Sequence, residues 1–278
     1  MEIDFDFPKW YKEKKRREEQ NNSPYMLSPK DDIECLITAY KDPEEAKKKY
    51  AFPPLVDDIV SLYYLLSLNY RHLGENEWIL GGSYEKCAEN LYLFILAYIK
   101  AYELSGRGIE ITNSSVKDLI GKKAYLGDLL YTAISLNETE MLRSLVGADG
   151  DIYSFLDDSS LCAVYSLFCG DEEKAAVYIK NMNEDSFEDE AAFKNFKGIL
   201  EAVLKRDENK FNLLLAKKIK KQRKELLGYL TVADVCSAAL IKTAEKYGIS
   251  YGFKVIEIPE GFLTDKSFNK EKLTLPKV

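Results

Sequence analysis

Apolar residues recur at helical spacing over nearly the whole chain. Pro8 opens a strongly charged segment, Lys9 to Gln20, that reads as a helix ended by Asn21-Asn22-Ser23-Pro24, and Ser28-Pro29 reads as the cap and first turn of the next. Two short helices follow, divided near Lys41-Asp42-Pro43. Beyond Pro53-Pro54, Leu55, Ile59, Leu62, Tyr63, Leu66 and Tyr70 mark a helix with one buried stripe, and Gly74 is placed as its stop. From Ser83 to Ser105 the pattern is apolar nearly all round, as Leu91, Leu93 to Leu96, Tyr98 and Ile99 show, so this helix is expected at the centre of the N-terminal half. Gly106-Arg107-Gly108 breaks it. Asn113-Ser114-Ser115 then offers caps for a helix from Val116 to Leu136.

From there the pattern repeats. Polar turns at Asn137, Asp171 and Asp207, 34 and 36 residues apart, each separate two apolar stripes. Eight and seven positions before the turns stand Leu129-Leu130, Ala163-Val164 and Ile199-Leu200. Four and three before stand Ala133-Ile134, Leu167-Phe168 and Val203-Leu204. Four after come Met141, Ala175 and Phe211, and eight after come Leu145, Ile179 and Leu215. Hairpins that bury such stripes against each other and against the next pair build tetratricopeptide-like arrays. A generic bundle of antiparallel hairpins gives similar spacing.

A last helix is expected from Val232 to Tyr247 with Gly248 as its stop. Phe253 to Ile258 alternates like one short strand or extended arm, and the tail from Thr264 is polar and expected to be mobile. The fold class is therefore all-α, an array of antiparallel helix pairs with tetratricopeptide-like hairpins in its C-terminal half. Its parts are an N-terminal helical region, 1–110, a hairpin region, 111–263, and a tail, 264–278.

Composition narrows the setting. Of the 278 residues 46% are hydrophobic, enough apolar surface to offset the entropy of ordering the chain. Met1 to Phe7 lack a basic segment followed by an apolar one, and the longest apolar run, Leu91 to Ile99, is too short to span a bilayer, so a cytoplasmic location without membrane contact is expected. Cys35, Cys87, Cys162, Cys169 and Cys236 lack the spacing of a zinc site and read as reduced, buried thiols.

Little in the chain suggests chemistry. The single histidine, His72, is placed near a helix end, where such residues are usually caps or surface groups. Gly81-Gly82-Ser83 lacks the Gly-Lys-Ser/Thr continuation of a phosphate loop and reads as a helix break capped by Ser83. No nucleophile motif, metal-ligand cluster or dinucleotide fingerprint is present, so the expectation is a protein that is not an enzyme, with no cofactor, no metal and no catalytic residue.

Charge carries more information. Between Asp149 and Glu190 twelve acids face two bases, a net charge of −10, whereas the whole chain is only −7. Lys194 to Lys224 then carries eleven bases and three acids. Patches divided in this way steer partners of opposite sign, unless they answer one another within the molecule. The basic residues spread around a helix without an aromatic platform, and direct nucleic-acid binding is not expected.

A family resemblance rests on particular residues of the second half. They are the helix ending in Leu204-Lys205-Arg206-Asp207, a second through Phe211 and Leu215, the basic turn Lys220-Lys221-Gln222-Arg223, and the small-residue helix with Ala238-Ala239-Leu240. Lys246-Tyr247-Gly248-Ile249, Ile258-Pro259 and Phe262-Leu263 follow, and Leu161 to Met182, with Gly170-Asp171-Glu172 at its turn, fits the preceding hairpin. This half resembles the helical immunity proteins of bacterial polymorphic toxin systems, closest to immunity protein forty-nine. The basic turn lacks the histidine of that family, and no site residue is transferred. The resemblance implies an antidote that binds and blocks a co-encoded toxin domain, commonly a nuclease. On that reading the toxin-binding face is acidic and comprises Asp149, Asp151, Tyr153, Asp157, Asp158, Glu184, Asp185, Phe187, Glu188, Asp189 and Glu190, with Phe155 and Tyr178 as further aromatic anchors. The alternative is a helical-repeat scaffold with no toxin partner.

Overall fold

The computed structural model describes residues 29–50, 53–79, 83–123, 125–146, 150–226, 233–252 and 258–278. The helix expected at 9–20, the Gly81-Gly82 break, Asp149 and all of the expected extended arm except Ile258 lie outside them. The molecule is all-helical, and the described residues contain no strand. They form two compact units, one reaching to Leu129 and including Ser267–Val278, the other holding Leu130–Leu230 and Asp234–Lys266.

In the first unit α1 (Pro29–Lys41) and α2 (Pro43–Lys49) are divided at Asp42, whose side chain accepts the Glu45 N–H at 3.0 Å as an N-cap. Helices α3 (Ile59–Ile79) and α4 (Tyr84–Gly106) form its most extensive pair, and α1 packs on α3. Leu91, Phe94, Ile95 and Ala97 of α4 are fully buried, in keeping with its nearly all-round apolar pattern.

Gly74 does not stop α3, which runs on to Ile79. A Cβ at position 74 would stand 2.8 Å from Leu91 Cγ and 3.1 Å from the Cys87 carbonyl, so this glycine lets the two helices approach closely. His72 accordingly sits inside the helix, exposed, and not at its end.

The single helix expected from Val116 to Leu136 is two: α5 (Ser114–Gly121), capped by Asn113, and α6 (Leu126–Ser135). Lys123 and Tyr125 between them adopt positive φ, 49° and 62°, which no continuous helix accommodates. The tail is not loose either. Lys41 Nζ donates to the Lys277 carbonyl at 3.0 Å, and Phe268 meets Tyr92 edge-on at 5.7 Å.

The second unit contains the hairpins. Two lie wholly within it, α8 (Ser159–Cys169) with α9 (Glu172–Lys180) and α10 (Glu190–Leu204) with α11 (Glu208–Leu226), and the short α7 (Ile152–Leu156) packs on α8; the chain enters them from α6, divided between the units after Leu129, through the turn at Asn137 and the 3₁₀ segment Thr139–Leu145. Helix α10 also touches α8 and α9, so these two hairpins stack as neighbours in an array of paired helices do. Sixteen of the eighteen repeat positions are buried, Met141 and Leu204 being half-buried.

The three turns share one set of backbone bonds. Glu138 N–H donates to the Ala133 carbonyl at 2.7 Å, Asp171 to Ser166 at 2.9 Å and Asp207 to Ala202 at 2.8 Å. Before each donor stands a residue of positive φ: Asn137 (58°), Gly170 (80°) and Arg206 (55°). The true register therefore runs Asn137, Gly170, Arg206, with intervals of 33 and 36, and the sequence alignment of Asn137 with Asp171 and Asp207 is one residue out of step. Helix α12 (Val235–Glu245) packs on α8 and ends in a turn with Gly248 at φ 75°, and α13 (Glu260–Leu263) packs on α12.

Candidate interaction surface

The acidic stretch is used first of all to start helices. Asp151 caps α7 and Asp158 caps α8, each accepting two backbone N–H groups, and Asp171 and Asp189 cap α9 and α10. Backbone and hydroxyl hydrogen bonds from Tyr153 and Ser154 hold the Asp151 carboxyl below its usual range. The Lys221 ammonium, followed by the Ala192 N–H, does the same for Asp189.

Much of the remaining charge is answered by the basic stretch. Arg206 pairs with Glu172 at 2.7 Å, Lys221 reaches Asp189 at 2.8 Å and Glu188 at 3.7 Å, and Lys194 pairs with Glu190 one turn away. The aromatics are occupied as well. Tyr153 stacks on Tyr178 at 5.5 Å and lies under the Lys174 ammonium at 4.4 Å, Phe187 packs on Phe193 and Phe196, and Phe155 is buried.

The expected face therefore divides. Asp151, Asp158, Asp189, Glu188 and Glu190 serve the fold's own caps and ion pairs, and Tyr153 and Phe187 serve its packing. Asp157, Glu184 and Asp185 remain exposed with no ion pair among the described residues, although Asp185 accepts a hydrogen bond from Asn183. Tyr153 on Tyr178 sets α7 against the last turn of α9, six residues before Glu184.

The structure adds residues that the sequence reading left out. Val177 on α9 is 56% exposed and Leu213 on α11 is 52% exposed, and each stands seven positions after the positive-φ residue of its hairpin. The two helices thus present an apolar residue to solvent at the same register. One turn before Val177 is Glu173, exposed and without an ion pair among the described residues. One and two turns after Leu213 are Lys217 and Lys220, in the same state. A signal existed in the sequence: Val177 and Leu213 fall between the inward positions Ala175 and Ile179, and Phe211 and Leu215.

Other polar clusters are internal. In the first unit Arg71 bonds Glu75 at 3.0 Å and Asp128 at 2.8 Å, and it lies over the Tyr125 ring. Burial pushes the Asp128 carboxyl above its ordinary value, and the Arg71 charge opposes that shift. In the second unit Lys242, 7% exposed, bonds Asp265 at 2.7 Å and the Ser135 carbonyl at 3.2 Å, and Asn137 bonds the same Asp265 at 2.6 Å. Cys35, Cys87 and Cys162 are buried as expected, Cys236 is half-buried, and Cys169 is exposed at the end of α8. Among the described residues no three His, Cys, Asp or Glu side chains gather as metal ligands, and no helix is long and apolar enough to cross a membrane.

These observations define the class as an all-helical protein whose second unit is an array of stacked hairpins. No protein-family model, curated protein or solved structure matches the chain.

Proposed function

We propose that the chain is a toxin-neutralising protein that binds a cognate toxin domain through Glu173 and Val177 of α9 and the acidic turn after it. The observation that supports this most is Val177, an apolar residue held in solvent on a capped helix, with Glu173 one turn before it and Glu184 and Asp185 beyond. A tight complex needs an apolar anchor as well as charge, and Val177 fills the role first given to the aromatics that the fold occupies. The unanswered carboxylates suit the basic cleft of a nuclease, where they would stand in for phosphates. The resemblance of the second half to immunity proteins supplies the class of partner. This function is one of binding and blockade, without catalysis, carried out in the cytoplasm.

The test uses the protein encoded by the neighbouring reading frame. Co-expression should restore growth that this neighbour alone abolishes. Replacing Glu173, Glu184 and Asp185 with Lys should then slow association about tenfold or more at low salt, and the difference should shrink as salt rises. An unchanged association rate would remove this face from the interface. Stacked hairpins also suit a scaffold. That reading takes over if the neighbour is harmless and the same substitutions instead release a cellular partner.

A further inference from the structure

The inward side of α11 is set by Phe211, Leu215, Ala216 and Ile219, all buried, and its flanks carry cations that the molecule itself neutralises. Lys210 pairs with Glu201 at 3.4 Å, Lys218 with Asp234 at 3.4 Å, and Lys221 with Asp189 and Glu188. The outward stripe is different. Leu213, Lys217 and Lys220 follow one another at i, i+4 and i+7, all three are exposed, and neither lysine makes an ion pair among the described residues. One helix thus shows an apolar residue followed by two unanswered positive charges along a single line.

We infer that this stripe docks an acidic, amphipathic helical segment of a second protein partner. A helix laid along α11 would place one apolar side chain against Leu213 and carboxylates one and two turns away against Lys217 and Lys220, which is how helix-on-helix recognition is spaced. Nucleic acid fits less well. Phosphates gain nothing from a leucine at one end of the line, and no aromatic residue on the stripe offers a base a stacking surface. The stripe lies on a different helix from Val177 and carries two cations and no acid. The stripe is argued from its own residues, so it stands whether or not the toxin reading does.

The test is fluorescence anisotropy with a labelled synthetic peptide carrying Leu and Glu at helical spacing, titrated with the full chain at low and high salt. Binding should weaken about tenfold in Leu213→Ala and at least as much in Lys217→Glu with Lys220→Glu, and added salt should weaken it in every variant that keeps the two lysines but not in the double Lys variant. Val177→Ala, on α9, should bind as the wild type does. All the substituted positions are exposed, and an unchanged thermal unfolding curve checks that each variant is folded. Equal binding by wild type and the double Lys variant overturns the inference. So does a single-stranded oligonucleotide that binds through the same two lysines while the peptide does not, or a wild-type dimer in sedimentation that Leu213→Glu dissociates.

Discussion

The α3–α4 pair of the first unit and the α10–α11 hairpin of the second both bring a glycine against a neighbouring helix, but the two contacts differ. At Gly74 the atoms in the way are the branch carbon of Leu91 and the backbone carbonyl of Cys87. At Gly198 the nearest atom among the described residues is Leu214 Cδ1, 2.8 Å away at the end of a side chain that can turn aside. The first unit is thus held by two long helices in a contact that cannot give. The second gathers its stability from short hairpins, each closed by its own turn, and its tolerance of small changes is correspondingly greater.

The sharpest way to break this comparison is Arg71→Met, which leaves Glu75 and Asp128 without the cation they share. A loss of about 3–5 kcal/mol is expected from urea unfolding followed by circular dichroism. The sign with pH follows from Asp128. Its folded pKa is raised, so the native state holds the proton more tightly than the unfolded chain does, and stability falls as pH climbs from the ordinary carboxylate value through the raised one. Without Arg71 the carboxyl rises further, so the variant should suffer most near neutral pH and recover in acid. A deficit that does not change with pH would show that the pair contributes packing alone.

Gly74→Val comes next, at about 3 kcal/mol, because a branched side chain cannot enter without parting α3 from α4. Faster amide exchange should appear in those two helices. In the array, Gly170→Ala should cost about 1–2 kcal/mol for placing a Cβ at φ 80°, with exchange rising around α8 and α9. Gly198→Ala should be the mildest, within about 1 kcal/mol of wild type in either direction, since the gain in helix propensity offsets the movement of Leu214. If Gly198→Ala and Gly74→Val destabilise equally, the contrast between rigid and tolerant contacts is lost.

How much of this was legible depends on which residue carried the message. Periodicity reveals which side of a helix is buried, so the helical class, the hairpin turns and sixteen inward positions were available from spacing alone. Gly74 was misread because a glycine in a long apolar pattern signals equally a stop or a close approach, and only the neighbouring helix decides. The break at Lys123 and Tyr125 was hidden because two non-glycine residues adopt positive φ there, which composition does not announce. The one-residue slip in the turn register has the same origin, since the left-handed position is Asn137 or Arg206 in two copies and Gly170 in only one.

The acidic stretch was conspicuous, but its division was not. Whether an aspartate caps a helix or faces solvent depends on which residue begins the next turn, and Asp151, Asp158, Asp171 and Asp189 all fell on that position. Val177 was passed over because sequence reading looks for apolar residues that complete a stripe, whereas this one interrupts a polar face.

The Lys242–Asp265–Asn137 cluster also bears on how the molecule is made. Asn137 and Asp265 are 128 residues apart, so the first hairpin turn reaches the ribosome exit long before the carboxylate that secures it has been synthesised. Translation at about 5–20 residues per second leaves that turn without its partner for several seconds or longer. Shortening the gene ahead of codon 265 would strip Lys242 of its counterion together with the last helical turn, and nascent chains stalled there should remain sensitive to protease.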